Sequence, residues 1–102
     1  MKVGEKNIEF DKDGFMLEPD LWDEEVACVI ATEEGIEEMS EDHWRIANFI
    51  REYWKANGLA PTVRLLCRDL GMNVRQIFKL YTSGPARGAC RVAGLPKPDG
   101  CV

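Results

Sequence analysis

Two cysteines near the end of the chain have the spacing that best suits chemistry. Between Cys90 and Cys101 lies "RVAGLPKPDG", which holds two prolines, two glycines and almost nothing that could pack in a core. A disulfide forms only if the two Cα atoms come within about 7 Å, whereas a tail extended beyond Leu95 carries the terminal sulfur about 20 Å outward. The spacing therefore predicts an arm with two states, one closed and one extended.

The residues between the cysteines predict how such an arm behaves. Pro96 and Pro98 stiffen the extended form, while Gly94 and Gly100 are expected to act as hinges. We expect the arm to be mobile in the free protein and to become ordered when it docks or is oxidised.

The thiolate of Cys101 needs help from a positive charge, because the adjoining carboxylate of Val102 disfavours a second negative charge. Arg91, Lys97 or a positively charged cavity of a partner would have to stabilise it. This requirement favours an arm delivered to another protein over a self-contained active site. The alternative is a frayed tail whose cysteines have no role.

The remaining candidate ligands do not suggest a metal site. Cys28 and Cys67 fall inside apolar helical patterns, where a cysteine usually behaves as a small buried hydrophobe. No CxxC pair exists, and the single histidine, His43, stands in the first turn of a predicted helix, where a capping contact is expected. The sequence predicts no metal and no cofactor of its own.

Length and composition indicate one small domain. The chain has 102 residues, of which 45% are hydrophobic and 30% charged, and no apolar run approaches the roughly 18 residues of a membrane span. Its start, "MKVGEKNIEF", has no apolar signal region, so we expect no membrane insertion and a cytoplasmic location.

The net charge of −5 is unevenly divided. Residues 1–59 carry 6 basic and 16 acidic side chains, whereas residues 60–102 carry 7 basic and 2 acidic ones. The acidic half disfavours general nucleic-acid binding, and the basic half leaves room for an anionic partner on one side.

Hydrophobic periodicity places these residues on a mainly helical scaffold. "NIEFDKDGFMLEP" predicts a β-hairpin in which Ile8 and Phe10 face Phe15 and Leu17. Apolar residues then recur at helical spacing, bounded by cap residues and glycines, in 20–35, 40–58, 61–71, 73–81 and 85–92. The second of these is the expected central helix. In the fourth, the residues expected to face inward are Val74, Ile77, Phe78 and Tyr81.

The predicted domain organisation is a helical domain over residues 1–93, including the hairpin, and a flexible arm over residues 94–102. Within the domain, "LLCRDLGMNVRQIFKL" has the outline of a helix-turn-helix with its turn at Gly71. Arg75, Gln76 and Lys79 could then face a major groove, so a DNA-binding regulator is an alternative function. The net negative charge argues against DNA binding, because phosphate contacts normally supply most of the affinity.

The segments "GPARGACRVAGLPKPDGCV", "DGFMLEPDLWDEEVA", "EDHWRIANFIREYW" and "LAPTVRLL" resemble the DsrC/TusE family of sulfur-relay proteins over nearly the whole chain. The resemblance implies a small orthogonal helical bundle with a helix-turn-helix-like core, a short N-terminal hairpin and a mobile C-terminal arm.

The resemblance also implies a function. Cys101 would enter a partner and accept sulfur, and Cys90 would then join it in a disulfide or, through a bridging sulfur, a trisulfide. The implied partners are a DsrAB-like sulfite reductase, which carries the siroheme and iron–sulfur clusters, and a membrane complex that reduces the trisulfide. TusE-type proteins, which take persulfide sulfur from upstream sulfurtransferases toward tRNA thiolation, keep only the penultimate cysteine, so the presence of both cysteines favours the dissimilatory type.

One difference from the family is expected. Its members usually have a longer segment between the "VRLL" helix and the "GPA" turn, where this chain runs directly through "CRDLGMNVRQIFKLYTSGPA". The shorter segment leaves the partner open between the usual sulfite reductase and another sulfur-handling protein. The direction of sulfur flow, reductive or oxidative, and the oligomeric state also stay open.

Overall fold

The computed structural model describes residues 2–96. Strands β1 (Lys2–Val3) and β2 (Lys6–Asn7) open the chain, and a 3₁₀ turn (Pro19–Leu21) follows. A π-helical turn (Pro85–Ala89) leads into the last helix of the described range. The helices are α1 (Glu24–Glu33), α2 (Glu41–Asn57), α3 (Val63–Leu70), α4 (Val74–Leu80) and α5 (Cys90–Val92). The predicted class, a mainly helical bundle with a short N-terminal β-hairpin, is confirmed.

The paired strands lie nearer the N-terminus than predicted. β1 and β2 are antiparallel, and the predicted turn "DKDG" instead closes a single bridge between Phe10 and Met16. Asp11 shapes that turn, because its carboxylate accepts hydrogen bonds from two backbone amides of the turn. The bridge turns Met16 into the core and leaves Leu17 exposed, so the predicted inward position of Leu17 is wrong.

Helix α1 begins four residues later than the predicted start at residue 20, because Asp23 caps it by accepting from the amide of Val26 at 2.9 Å. The hydrogen bond from Lys6 to Asp23, at 2.7 Å, is the main reason that the pKa of this carboxyl lies below its ordinary value. The buried side of α1 holds Val26, Ala27, Ile30 and Ala31, and Cys28 is exposed, so the prediction that Cys28 is buried is wrong.

Helix α2 has the predicted bounds and forms the centre of the bundle. Ser40 caps its start, and Gly58 ends it with a positive φ of 76°. Its fully buried side chains are Ile46, Ala47 and Ile50, with Trp44 and Trp54 partly buried beside them.

His43 has the expected capping role and a second one. Its Nδ1 accepts from the backbone amide of Ser40 at 3.0 Å, so the proton is on Nε2, which donates to the carbonyl of Leu80 at 2.9 Å. The hydroxyl of Tyr81 donates to the carbonyl of His43 at 2.8 Å, and the two rings pack edge to face. These contacts join the start of α2 to the end of α4.

Helices α3 and α4 form the predicted helix-turn-helix outline, although two details of the prediction are wrong. Thr62 caps α3, so Pro61 precedes the helix instead of lying in its first turn. In α4 only Ile77 is buried, with Tyr81 just beyond it, whereas Val74 and Phe78 are exposed. The core therefore covers only the Ile77 and Tyr81 side of the predicted apolar face.

The core is continuous through the bundle. Helix α5 packs against α1, α2 and the π-helical turn, so the last described helix is part of the body. No helix within residues 2–96 is long and apolar enough to cross a membrane.

We expect Tyr81→Phe to lower the free energy of unfolding by about 1 kcal/mol at neutral pH, because the hydrogen bond to His43 is lost. Tyr53→Phe, at a half-buried site, is the matched control and should change stability less. Urea unfolding followed by tryptophan fluorescence measures both.

Tyr81→Phe should also change how the free energy of unfolding depends on pH in the alkaline range. Burial raises the pKa of Tyr81 in the folded state, so its contribution to stability is present below pH 10, near the unfolded pKa, and is lost as the pH rises further. The wild type and Tyr53→Phe should therefore lose stability above pH 10 more steeply than Tyr81→Phe. Parallel stability curves for all three proteins would contradict this assignment.

Candidate functional site

Cys90 is the first residue of α5 and is buried, with 3% of its surface exposed. The π-helical turn delivers it there, because the amides of Gly88 and Ala89 both bond to the carbonyl of Gly84. The predicted final helix over residues 85–92 is thus confirmed as a π turn followed by an α turn. The position of Cys90 is therefore fixed by the packed turn before it.

The helix that begins with Cys90 ends in a Schellman motif. The amide of Leu95 donates to the carbonyl of Cys90 at 3.2 Å, and the amide of Gly94 donates to the carbonyl of Arg91 at 2.9 Å. Gly94 has the positive φ of 77° that the motif requires, and Leu95 is buried. Gly94, expected to be a hinge, therefore ends a helix in the core.

Trp22 and Arg51 together hold the end of α5. The indole of Trp22 donates to the carbonyl of Val92 at 2.8 Å. Arg51 donates to the carbonyl of Ala93 at 3.0 Å and, on its other side, to that of Pro19 at 2.8 Å. The guanidinium lies 4.4 Å from the centre of the Trp22 ring, which adds a cation–π contact. We call Trp22 and Arg51 the arm clamp.

The arm clamp satisfies carbonyls that a helix C-terminus leaves without partners. Burial lowers the pKa of Arg51, and the nearby carboxylates of Asp20 and Glu52 oppose that effect. An arginine starts so far above neutral pH that it keeps its charge here. A positive charge at the end of a helix also interacts favourably with the helix dipole.

Arg91, which sequence reasoning offered as a cation for the Cys101 thiolate, is engaged elsewhere. Its guanidinium forms a buried ion pair with Glu34 and a longer one with Glu33, at 3.5 Å. It also donates to the carbonyl of Gly14 at 2.9 Å, and a Cβ on Gly14 would lie 2.7 Å from the guanidinium. Arg91 therefore ties α5 to α1 and to the N-terminal turn.

Of the other predicted site residues, only Pro96 lies within residues 2–96. Pro96 is half-buried at the end of the described range. Most of the predicted arm lies outside the described residues, and with it Lys97, Pro98, Gly100 and Cys101. The boundary between domain and arm stays a prediction, although Gly94 and Leu95 are packed in the body.

Sequence reasoning missed the arm clamp and Glu34. Arg51 carried a signal, because it interrupts the apolar stripe of α2 between Ala47 and Trp54, and a cation in such a stripe needs partners. Nothing in the sequence alone assigns those partners to the carbonyls that follow Cys90.

Comparison with known proteins agrees with this arrangement. The profile of the family described as "DsrC like protein" matches residues 2–102. The dissimilatory-type sulfite reductase subunit gamma of Nitratidesulfovibrio vulgaris is 45% identical over 97 residues, which cover 95% of this chain and 92% of the relative. The sulfurtransferase TusE of Escherichia coli is 36% identical over 104 residues, covering 95% and 94%. A chain in the crystal structure of dissimilatory sulfite reductase I (DsrI) superimposes with a TM-score of 0.93 at 43% identity, covering 100% of this chain and 98% of that one.

The lengths of the two sequence alignments test whether the relatives have more residues than this chain within the aligned range. The alignment with the gamma subunit spans 97 residues and covers 95% of this chain, which leaves no room for a longer segment in that relative. The alignment with TusE spans 104 residues over the same share of this chain, so TusE has extra residues within it. The expected longer segment is therefore wrong for the gamma subunit, whereas TusE is the longer protein over the aligned range.

We expect Gly94→Ala to destabilise the protein by about 3 kcal/mol, because a left-handed alanine and an overpacked core each cost about 1–2 kcal/mol. A Cβ at Gly94 would lie only 2.1 Å from an atom of Trp22. Gly58→Ala is the matched control, since Gly58 has nearly the same φ, 76°, and no described heavy atom within 4 Å of the added Cβ. It should lose only about 1–2 kcal/mol. Equal losses in urea unfolding would show that Trp22 does not confine this position.

Proposed function

Because the chain belongs to the DsrC-like protein family, we propose that it is a sulfur carrier of dissimilatory sulfur metabolism, with Cys101 as the sulfur acceptor and Cys90 as the resolving thiol. The sulfur-relay role follows from relatives of both the gamma-subunit and TusE types. The protein would act as a sulfur-carrying co-substrate of its partners, without a cofactor of its own.

One observation carries the division of roles between the cysteines. Cys90 is buried at the start of α5, and the chain after it is held by the Schellman motif and the arm clamp as far as Leu95. A thiol fixed in this way cannot reach into the cavity of another protein. Cys101, six residues beyond Leu95 in the sequence, has an extended reach of about 20 Å and suits delivery.

The proposed chemistry needs no external oxidant. Sulfur held on Cys101 as a persulfide is resolved when the Cys90 thiolate attacks the Cys101 sulfur, forms the disulfide and displaces hydrosulfide. Sulfur held one oxidation level higher, as Cys101–S–S–OH, condenses with the Cys90 thiol and loses water, which gives the trisulfide. Reduction of that trisulfide to two thiols and sulfide takes its electrons and protons from the membrane-bound complex.

Two comparisons support a sulfite reductase as the partner. The gamma subunit of the dissimilatory enzyme aligns without an extra segment, and a chain similar to this one is present in a crystal structure of dissimilatory sulfite reductase I. We therefore propose a DsrAB-like sulfite reductase, with its siroheme and iron–sulfur clusters, as the protein that loads Cys101. A TusE-like persulfide relay is the second candidate, because TusE is 36% identical over the same share of the chain.

We expect Cys101→Ser to abolish sulfur loading, because the tip nucleophile is gone, and Cys90→Ser to retain a stranded sulfur on Cys101. Cys28→Ser is the control, since Cys28 is an exposed thiol on α1 outside the arm, and it should behave like the wild type. Intact-mass measurement after incubation with purified sulfite reductase, sulfite and a limiting electron donor shows whether sulfur has been added.

The loading of the cysteine variants distinguishes the proposed roles of Cys101 and Cys90. Loading that persists in Cys101→Ser would overturn the assignment of the acceptor, and loading lost in Cys90→Ser would overturn the resolving role. A wild type that is loaded but never forms a bridge between Cys90 and Cys101 would favour the TusE-like relay.

A further inference from the structure

Two large apolar side chains are exposed side by side on α4. Val74 is 45% exposed and Phe78 is 47% exposed, and their i,i+4 spacing places them on one face of the helix. The edge of the Phe78 ring lies against Gly84, where a Cβ would be 3.2 Å from a ring atom. The apolar pair therefore borders the turn that leads to Cys90.

Three cations lie on α4 and on the turn that follows it. Arg75 and Lys79 lie on α4 itself, Arg87 lies on the π-helical turn, and all three residues are exposed. Between residues 2 and 96 no carboxylate forms an ion pair with any of the three, although Arg45 and Arg91 do have acidic partners. We call the set of Val74, Phe78, Arg75, Lys79 and Arg87 the α4 face.

The composition of the α4 face favours a protein over a nucleic acid as its occupant. An apolar pair with a positive rim complements an apolar depression with an acidic rim, whereas a phosphate backbone offers nothing to Phe78. The sequence predicts that the Gln76 side chain could face a major groove. In the structure its side-chain oxygen, Oε1, accepts from the backbone amide of Asn73 and completes the cap of α4. One of the three side chains expected to face a major groove is therefore engaged in capping α4.

We propose that the α4 face is the surface on which the sulfur-loading partner docks, through an acidic-rimmed apolar depression. The proposal rests on the proposed function, because the partner is the protein that loads Cys101. Its position supports it, since the π-helical turn and α5 connect this face directly to the base of the arm. A partner held there would contact the turn that leads to Cys90.

The test measures the binding of two variants to purified sulfite reductase. One variant is Phe78→Ser, and the other is a charge reversal that combines Arg75→Glu and Lys79→Glu. Phe78→Ser should weaken the equilibrium affinity about tenfold, as expected for a central apolar contact. The charge reversal should mainly slow association and reduce its dependence on salt, because rim charges act through long-range attraction. Surface plasmon resonance at two salt concentrations measures both effects.

Matched controls come from the same chain. Leu59→Ser changes a side chain that is 58% exposed outside the α4 face. The double change Lys55→Glu with Arg64→Glu reverses two exposed cations on α2 and α3. Both controls should bind nearly as the wild type does, and urea unfolding checks that every variant is folded. Phe78→Ser should still accept sulfur when the sulfite reductase is saturating, because both arm cysteines are intact.

The possible failures are distinguishable. If the wild type binds and is loaded but the α4-face variants match their controls, only the docking proposal is overturned. If the wild type neither binds sulfite reductase nor accepts sulfur, the proposed function fails and the docking proposal fails with it.

Two other occupants would also overturn the proposal. Sedimentation would reveal a second copy of this chain, if the wild type dimerises and Phe78→Ser does not. Fluorescence anisotropy with a labelled DNA duplex would reveal nucleic acid, if binding is lost in the charge reversal and retained in Phe78→Ser.

Discussion

The end of helix α5 is the constraint on which the candidate site depends. Helix α5 has only three residues, Cys90–Val92, and its Schellman motif satisfies the carbonyls of Cys90 and Arg91, so those of Val92 and Ala93 need partners from elsewhere. Trp22 and Arg51 supply them from the 3₁₀ turn region and from α2, which are distant in the sequence. The arm clamp thus completes the hydrogen bonding of a helix that is too short to stabilise itself.

The arm clamp has a counterpart on the other side of α5. Arg91 connects the same short helix to the end of α1 and to the N-terminal turn, through Glu34 and the carbonyl of Gly14. The two sets of contacts share α5 as their common element. The hairpin, α1 and α2 therefore contribute to the candidate site mainly by holding a segment that could not hold itself, although none of them carries a cysteine proposed to react.

The extent to which the sequence determines these features differs between local and long-range interactions. The bounds of α2 and the turn at Gly71 were predictable, because Ser40, Gly58 and Gly71 are cap residues whose effect is local. The exposure of Phe78 and Cys28 was not, because a helical stripe shows which residues share a face but not how much of it a neighbour covers. The site divides in the same way. The two cysteines proposed to react are visible from their spacing, whereas the place of Gly94 beneath Trp22 depends on a contact between residues far apart in the chain.

The burial of Leu95 has a consequence for how readily the two arm thiols can meet. The entropy lost when a loop closes depends on the number of residues whose conformations must be fixed. Since the body already fixes the chain from Cys90 to Leu95, the tether that counts is only the stretch that follows Leu95 in the sequence. A short flexible linker between two groups gives an effective concentration in the millimolar range. In the proposed relay, a linker of this kind would let the resolving thiol compete for a sulfur on Cys101 with dissolved thiols at up to about millimolar concentration.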